Sequence, residues 1–142
     1  MSLKDKLLFG EIPASIDARG RITLVKGFRE VIPPKDDLFI LEVPSKKSPY
    51  EKPVLLVYPE SFYEKELSKF LRLPLTNSDR ALFFSAIRQE IVSNNRIQLP
   101  TPFLRKYYYN YTNRSIPTNL CGNGNCFYIV PLIDPSQQPT KS

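Results

Sequence analysis

The stretch Ile16-Asp17-Ala18-Arg19-Gly20-Arg21-Ile22-Thr23-Leu24 has a weaker copy 75 positions further along the chain, Ile91-Val92-Ser93-Asn94-Asn95-Arg96-Ile97-Gln98-Leu99. In each copy small and polar residues lead to an arginine, and an alternation of apolar and polar residues follows. This alternation has the period of a half-buried β-strand. A phenylalanine lies seven residues after each arginine, at Phe28 and Phe103. The fixed offset indicates a duplicated supersecondary unit, which presents one surface twice and favours a binding protein over an enzyme.

The composition limits the class of protein. A chain of 142 residues with 42% hydrophobic residues suits one compact domain, or two small halves that share a core. The net charge of +6 indicates an anionic partner, either nucleic acid or an acidic membrane surface. A basic protein with no such partner is the alternative, and charge alone does not separate the two. No apolar run approaches the roughly 20 residues of a transmembrane helix, and the N-terminus lacks a secretion signal, so we expect a cytoplasmic protein.

The chain contains no histidine. This excludes Ser-His-Asp and Cys-His nucleophiles, histidine metal sites and the usual general base near neutral pH. No pair of carboxylates stands out as an acid–base pair. We therefore expect no catalytic residue, no cofactor and no small-molecule substrate.

Two cysteines, Cys121 and Cys126, flank Gly122-Asn123-Gly124-Asn125. Two thiolates without further ligands cannot complete a tetrahedral zinc site, so no metal is expected. A disulfide across a hairpin is geometrically possible, but a cytoplasmic protein favours free thiols. We interpret both as ordinary strand residues.

The predicted elements follow the same order in both halves. In the first half we expect strands at 7–16, 21–25, 38–43 and 54–58 and a short helix at 27–31. Pro13 predicts an edge position or a bulge for the entering strand. Two helices follow, one from Pro59 and one from a Ser78 cap to about residue 86. The order then repeats and ends in a hairpin with arms at 118–121 and 126–130.

The first copy of the repeat and its surroundings resemble the MraZ family of bacterial transcriptional regulators. Leu8-Phe9-Gly10 is similar to the opening of that family, and Ile16-Asp17-Ala18-Arg19-Gly20-Arg21-Ile22 is similar to its Asp-x-x-x-Arg signature. Leu55-Leu56-Val57-Tyr58-Pro59 resembles the strand that ends in Tyr-Pro. The likeness covers roughly residues 7 to 133.

This resemblance implies a mainly β fold with helices (α+β), in which two AbrB-like swapped-hairpin β-barrel halves form an internal pseudo-dimer. It implies repeat 1 at 7–59, a helical linker packed on the barrel at 60–85 and repeat 2 at 86–133. A disordered tail is expected at 134–142. It also implies a nucleoid-associated homo-oligomeric ring that binds short direct repeats in double-stranded DNA. Those repeats lie upstream of the cell-division and cell-wall gene cluster.

The chain departs from the family pattern in three places. In the second copy Val92 stands at the aspartate position and Asn95 at the glycine position. In the first copy Val25 stands where the family has a proline, which Pro100 retains in the second copy. Family members usually continue into a C-terminal helical segment, whereas this sequence ends in a Pro-rich stretch.

The first turn supplies the candidate DNA-binding residues. Arg19 and Arg21 place two guanidinium groups on a glycine-containing turn, where they suit phosphates or guanine edges. Family members contact DNA with basic residues at these two places. Asp17 and Gly20 are interpreted as structural anchors of the turn, because aspartate accepts from turn backbone and glycine adopts positive φ.

Other basic and aromatic residues leave alternatives open. Arg96 is the counterpart of Arg21, and for it a DNA contact and a structural role are equally open. Lys26 and Arg29 follow the first turn and are either phosphate contacts or solvated charges on a helix face. The run at 107–109 consists of tyrosines that stack on bases or belong to the core.

Two functions are compatible with these residues. The first is a sequence-specific DNA-binding regulator. The second is a structural or protein-interaction member of the same fold that has lost specific DNA binding, an alternative that the degenerate second turn suggests.

Overall fold

The computed structural model describes residues 8–72, 76–111 and 113–136, and over these residues the chain is mainly β with a few helices. The strands are β1 (Glu11–Ile16), β2 (Arg21–Thr23), β3 (Leu38–Val43), β4 (Val54–Pro59), β5 (Ile87–Gln89), β6 (Arg96–Gln98), β7 (Ile116–Gly122) and β8 (Phe127–Pro131). The α-helices are α1 (Lys26–Val31), α2 (Glu60–Phe70), α3 (Asn77–Phe84) and α4 (Thr101–Tyr107). Single 3-10 turns lie at Ser45–Lys47, Ser93–Asn95 and Tyr109–Tyr111.

The eight strands form one antiparallel sheet in the order β5-β3-β4-β8-β7-β1-β2-β6. The two end strands, β5 and β6, are consecutive in the chain, and the segment between them is short. Its Val92 N–H donates to the Arg96 carbonyl oxygen at 2.8 Å. The sheet therefore curls into a single, nearly closed barrel.

The two copies of the repeat meet at β2 and β6. These strands pair around Ile22 and Ile97, which lie directly opposite each other. On either side the Leu24 N–H donates to the Asn95 carbonyl at 2.8 Å, and the Leu99 N–H donates to the Gly20 carbonyl at 2.9 Å. Equivalent residues of the two copies thus exchange equivalent backbone hydrogen bonds.

The core confirms the alternation read from the two copies. The apolar positions of the alternation that follows each arginine are all 2% exposed or less: Ile22, Leu24, Ile97 and Leu99. Phe28 and Phe103, the two phenylalanines at equal distance from the arginines, are 2% and 0% exposed. Burying side chains of this size provides roughly 1.5–3 kcal/mol each, so the duplicated apolar pattern supplies much of the barrel core.

A second apolar cluster attaches α2 and α3 to the outside of the sheet. The ring of Tyr63 stacks on Phe39 at 4.2 Å between centroids and on Phe83 at 4.7 Å. The Tyr63 hydroxyl donates to the Phe83 carbonyl at 3.0 Å. Aromatic stacking of this kind fixes both helices against β3.

The predicted strand at 38–43 is confirmed, and β4 is one residue longer than expected. The entering strand starts later than predicted, because Gly10 adopts a φ of +90° before β1 begins at Glu11. Ahead of it Leu8 only bridges to Gly124. The edge position expected for Pro13 is not confirmed for the strand, because β1 lies inside the sheet between β7 and β2. Pro13 itself pairs with Asn119 of β7, and β1 meets β2 at Ile16.

The two chain ends and the break between α2 and α3 fall partly outside the described residues. This applies to residues 1–7, 73–75 and 137–142, and also to the side chain of Ser78, the expected helix cap. Within the expected tail, the Ser136 N–H donates to the Tyr107 carbonyl at 2.6 Å, and the Asn110 N–H donates to Ser136 Oγ at 2.9 Å. The chain is therefore attached beside α4 as far as Ser136.

Candidate nucleic-acid interface

The Asp17 carboxylate organises the first turn from inside. Its Oδ1 accepts the backbone N–H groups of Arg19 and Arg21, both at 2.9 Å, and its Oδ2 accepts from Arg21 Nε at 3.1 Å. The backbone closes the same loop, since the Asp17 N–H donates to the Arg21 carbonyl at 2.8 Å. One side chain thus fixes the turn and orients the Arg21 guanidinium.

These hydrogen bonds also affect the charge of Asp17. Partial burial alone would raise the pKa of its carboxyl, but the backbone N–H groups of Arg21 and Arg19 and the Arg21 guanidinium outweigh it. The pKa of Asp17 therefore lies below its ordinary value. The carboxylate is ionised at neutral pH and available to hold Arg21.

Gly20 completes the turn in a conformation that few other residues adopt. It has a φ of +78° and is buried. A Cβ at this position would lie 3.1 Å from Gln98 Nε2 and 3.1 Å from Leu104 Cδ1. Both the backbone and the packing therefore favour glycine here.

Gln98 supports the first turn from the second copy, a role that the sequence analysis missed. Its Nε2 amide lies within hydrogen-bonding distance of the carbonyl oxygens of Arg19 (3.1 Å), Gly20 (3.2 Å) and Leu99 (3.2 Å). The only sequence signal is its place in the alternation, directly after buried Ile97. The first turn is consequently braced across the β2–β6 pair.

The structure places both predicted arginines of the first turn where solvent reaches them. Arg19 is exposed, and the Arg21 side chain is 26% exposed. Only Nε of Arg21 is bound to Asp17. Within 8–72, 76–111 and 113–136, no acceptor is hydrogen-bonded to the terminal NH₂ groups of Arg21. These groups remain available as donors to an anion.

The second turn has the same backbone connection but different side-chain chemistry. Val92 replaces the carboxylate, and Asn94 and Asn95 take φ values of 63° and 58°. Arg96 Nε is buried and has no hydrogen-bond partner among the described residues. Arg29 Nε donates instead to Asn95 Oδ1 at 3.2 Å. This turn is held by its backbone and by Arg29, whereas Nε of its own arginine makes no hydrogen bond to any described residue.

Arg21 and Arg96 lie on the same face of the barrel. Because side chains alternate along a strand, the residues beside inward-facing Ile22 and Ile97 face outward. Arg21 is opposite Gln98, and Arg96 is opposite Thr23. The two arginines are therefore diagonal neighbours, roughly 7–8 Å apart at Cα.

The remaining candidates are divided between surface and core. Lys26 Nζ lies 3.9 Å from the Glu30 carboxylate on α1, and both side chains are largely exposed. Such a pair contributes little to stability and leaves Lys26 available. Arg29 is partly buried, and its guanidinium donates to Asn95 Oδ1 at 3.2 Å and to the Ile32 carbonyl at 3.3 Å. A phosphate contact of Arg29 stays a prediction.

The core interpretation of the tyrosines is confirmed for Tyr108. It is 1% exposed and donates from its hydroxyl to the Pro53 carbonyl at 2.7 Å. Tyr107 packs against Phe103 with ring centroids 5.3 Å apart. These two rings stabilise α4 rather than offering free faces to bases.

Both cysteines are free and buried, as expected. Burial raises the pKa of the Cys121 and Cys126 thiols, which keeps them protonated. In the part of the chain that the structure describes, no cluster of three or more His, Cys, Asp or Glu side chains is placed to hold a metal ion. No helix in that part is long and apolar enough to cross a membrane.

Comparison of the sequence with protein-family models gives no match, and comparison with curated proteins gives none either. Function is therefore inferred from the two turns and the face that they share.

Proposed function

We propose that this chain is a sequence-specific DNA-binding transcriptional regulator of the MraZ type. Its targets would be short direct repeats upstream of the cell-division and cell-wall gene cluster. The observation that carries the proposal is the outward face of β2 and β6, where Arg21 and Arg96 are diagonal neighbours, with the exposed Arg19 at the adjoining turn.

The strand order supports the finer architecture that we propose, two swapped-hairpin halves forming an internal pseudo-dimer. The β3–β4 hairpin of the first copy lies between β5 and β8 of the second. The β7–β8 hairpin of the second copy lies between β4 and β1 of the first. On this interpretation the repeats are 7–59 and 86–133, joined by a helical linker at 60–85.

Arg21 is the principal DNA contact in this proposal. Its terminal NH₂ groups suit a phosphate or the O6 and N7 atoms of guanine. Asp17 already holds Nε at 3.1 Å, so little side-chain freedom is lost when the DNA binds. The exposed Arg19 adds a second cation at the tip of the turn.

Arg96 plays a different part. Its buried Nε has no acceptor among the described residues, and an unsatisfied buried donor is unfavourable by about 1–3 kcal/mol. A DNA phosphate at the second turn would supply an acceptor if the side chain rotates outward. Arg96 would then adapt on binding, whereas Arg21 is oriented beforehand.

A single face of this size binds weakly. Contacts to a few phosphates give dissociation constants of about 10⁻⁴ to 10⁻⁶ M at physiological salt. In a ring-shaped homo-oligomer, neighbouring subunits would engage neighbouring repeats at high effective concentration. Specificity would then depend on the repeat spacing as well as on base contacts. Catalysis, cofactors and small-molecule substrates have no part in this function.

A protein-interaction role is the second candidate. Three large apolar side chains near the end of α3 and the second turn are about half exposed: Phe84 (50%), Ile87 (43%) and Val92 (46%). An exposed apolar group of this kind is typical of protein contacts. A chain using only this surface would need no affinity for DNA.

Fluorescence anisotropy separates the two candidates. The full chain is titrated into a labelled duplex from upstream of the gene cluster and into a duplex of shuffled sequence, between about 50 and 200 mM salt. A regulator binds the upstream duplex more tightly, and log K falls with log salt by about 0.9 per phosphate contacted. Absence of binding to either duplex at the lowest salt would favour the interaction protein.

A further inference from the structure

A cavity of about 270 Å³ lies directly behind the first turn. It is enclosed by that turn, by α4 and by the segment that leads into β7. Among the described residues its lining includes Arg19 of the turn but not Arg21, so the cavity and the principal candidate DNA contact are separate.

The lining of the cavity combines an apolar floor with a cationic rim. Ile16, Leu104 and Tyr108 contribute to the floor. Arg105 and Arg114 are exposed and lie at the rim, together with Arg19, the exposed arginine of the turn.

None of these three guanidinium groups has a hydrogen-bond partner among the described residues. The acidic residue in the described lining is Asp17, and its carboxylate is occupied by the turn backbone and Arg21. The rim of the cavity therefore carries a net positive charge, and its three guanidinium groups form no ion pair with the described residues.

At the second turn the equivalent positions carry different residues. Arg29 corresponds to Leu104, and it extends to Asn95 instead of forming an apolar floor. Glu30 corresponds to Arg105, and its carboxylate lies near Lys26. The combination of apolar floor and arginine rim thus belongs to the first turn and is not repeated by these residues at the second.

We propose that this cavity binds a small planar organic anion. The ring of the ligand would lie on Leu104, which is partly exposed, and its carboxylate or phosphate would be bound by Arg19, Arg105 and Arg114. Guanidinium groups suit both anions, because their planar donors match two oxygens at once. The volume of about 270 Å³ lies just below the roughly 300–1,000 Å³ of drug-sized pockets, which limits the ligand to one aromatic group of one or two fused rings.

Ligand binding would compete with DNA binding through Arg19. The side chain of Arg19 serves the outer face when DNA is bound and turns to the cavity when the anion is bound. This part of the inference rests on the proposed function. The protein would be a regulator whose affinity for DNA falls when a small metabolite anion is present.

Isothermal titration calorimetry on the full chain without DNA tests the cavity. The probes are adenosine 5′-monophosphate, benzoate, adenosine and inorganic phosphate. We expect AMP or benzoate to bind with a dissociation constant below about 1 mM, and which of them binds identifies the phosphate or the carboxylate as the anion. Adenosine and inorganic phosphate should bind at least about tenfold more weakly, because each lacks one half of the ligand.

Variants of the rim make the test specific. R105A and R114A should each raise the dissociation constant of the bound probe by about tenfold or more, because a lost charged hydrogen bond is worth about that factor. Lys106→Ala is the matched control, because Lys106 is the exposed neighbour of Arg105 and does not line the cavity. Circular dichroism verifies that each variant is folded. The proposal is overturned if neither AMP nor benzoate binds, or if inorganic phosphate binds as tightly as the better of the two. It is also overturned if K106A loses as much affinity for the probe as R105A does.

The competition is measured separately. The bound probe, at about three times its wild-type dissociation constant, should lower the DNA affinity of the wild-type chain by about fourfold and that of R105A by much less. If calorimetry shows that the probe binds but the affinity for DNA does not change, the competition is disproved and the binding of an anion in the cavity is still supported. If the chain binds no DNA at all, the proposed function fails, while the calorimetry still decides on the cavity.

Discussion

The two turns share a backbone connection and differ in almost every side chain that surrounds it. In both, the residue that begins the turn donates its N–H to the carbonyl of the arginine at 2.8 Å. In the first turn Asp17 binds the arginine as well. In the second, Val92 stands in that place, and Arg96 Nε is buried with no hydrogen-bond partner in the part of the chain that the structure describes. The backbone of the repeat is thus retained without the carboxylate, and what the carboxylate adds is the orientation of one guanidinium.

This comparison assigns the two arginines unequal importance for DNA. Replacing Arg21 with Ala should lower affinity for the upstream duplex roughly 10- to 100-fold, since a good bidentate arginine contact is worth about 1–3 kcal/mol. Arg96→Ala should lower it less, because Arg96 must first leave its buried position. Anisotropy titrations at one salt concentration measure both. Arg72, an exposed arginine after α2, provides the control variant R72A. An R96A loss equal to that of R21A would show the turns to be equivalent in binding.

Gly20 and Asn95 occupy equivalent places, and only the first turn requires glycine. Gly20→Ala should destabilise the fold by about 2 kcal/mol, because alanine at positive φ is strained and its Cβ would crowd Gln98 and Leu104. Thermal or denaturant unfolding at fixed protein concentration measures the change. Gly27→Ala is the matched control, since nothing lies within 4 Å of the added Cβ and α1 favours alanine. Equal stability of G20A and G27A would refute the strained-turn account.

Asp17→Val gives the first turn the side chain of the second. We expect a loss of about 1–1.5 kcal/mol in unfolding free energy, because two backbone N–H groups and Arg21 Nε lose their acceptor at a partly exposed site. Denaturant unfolding measures it. D17N, which keeps the shape and one acceptor oxygen, should lose less than D17V. If both variants are as stable as the wild type, the carboxylate does not anchor the turn.

Val92→Asp is the reverse exchange. Val92 is 46% exposed, so an aspartate there is only weakly desolvated and can accept from Arg96 Nε. We expect stabilisation of about 1 kcal/mol, less than a fully buried charged hydrogen bond provides. Unfolding of V92D beside V92N measures it, and only the charged variant should gain the full increment. A loss of stability in V92D would mean that Arg96 Nε is out of reach of residue 92.

The smallest effect concerns pH. The folded-state pKa of Asp17 lies below that of the unfolded chain, so its stabilising contribution is complete above about pH 4 and is lost as pH falls through the folded-state pKa. The free energy of unfolding, measured between about pH 2.5 and 6, should therefore change less with pH in D17N than in the wild type. The expected difference is a fraction of a kcal/mol. Identical curves would exclude Asp17 as a source of acid destabilisation.

Local features of this molecule follow from local sequence. The apolar runs at 38–43 and 54–58 predict paired strands because their β-branched residues suit a buried sheet. Asp17 and Gly20 predict the first turn because each residue has its own preference for turn geometry. The repeat offset likewise predicts that Phe28 and Phe103 are equivalent, and both are buried.

Contacts between distant segments could not be predicted in this way. Gln98 braces the Arg19 carbonyl across 79 positions, and Arg29 reaches Asn95 across 66. Neither contact has a local signature, because it depends on β2 and β6 pairing first. The cavity behind the first turn depends in the same way on α4 and the segment before β7 meeting the turn.

Hydrogen–deuterium exchange of the full chain with and without the upstream duplex tests the central claim most directly. If the outward face of β2 and β6 binds DNA, peptides covering 17–24 and 94–99 become protected, the first more than the second, and peptides from 60–72 do not change. Protection confined to 60–72 and 76–90, or unchanged exchange throughout with saturating duplex, would contradict it.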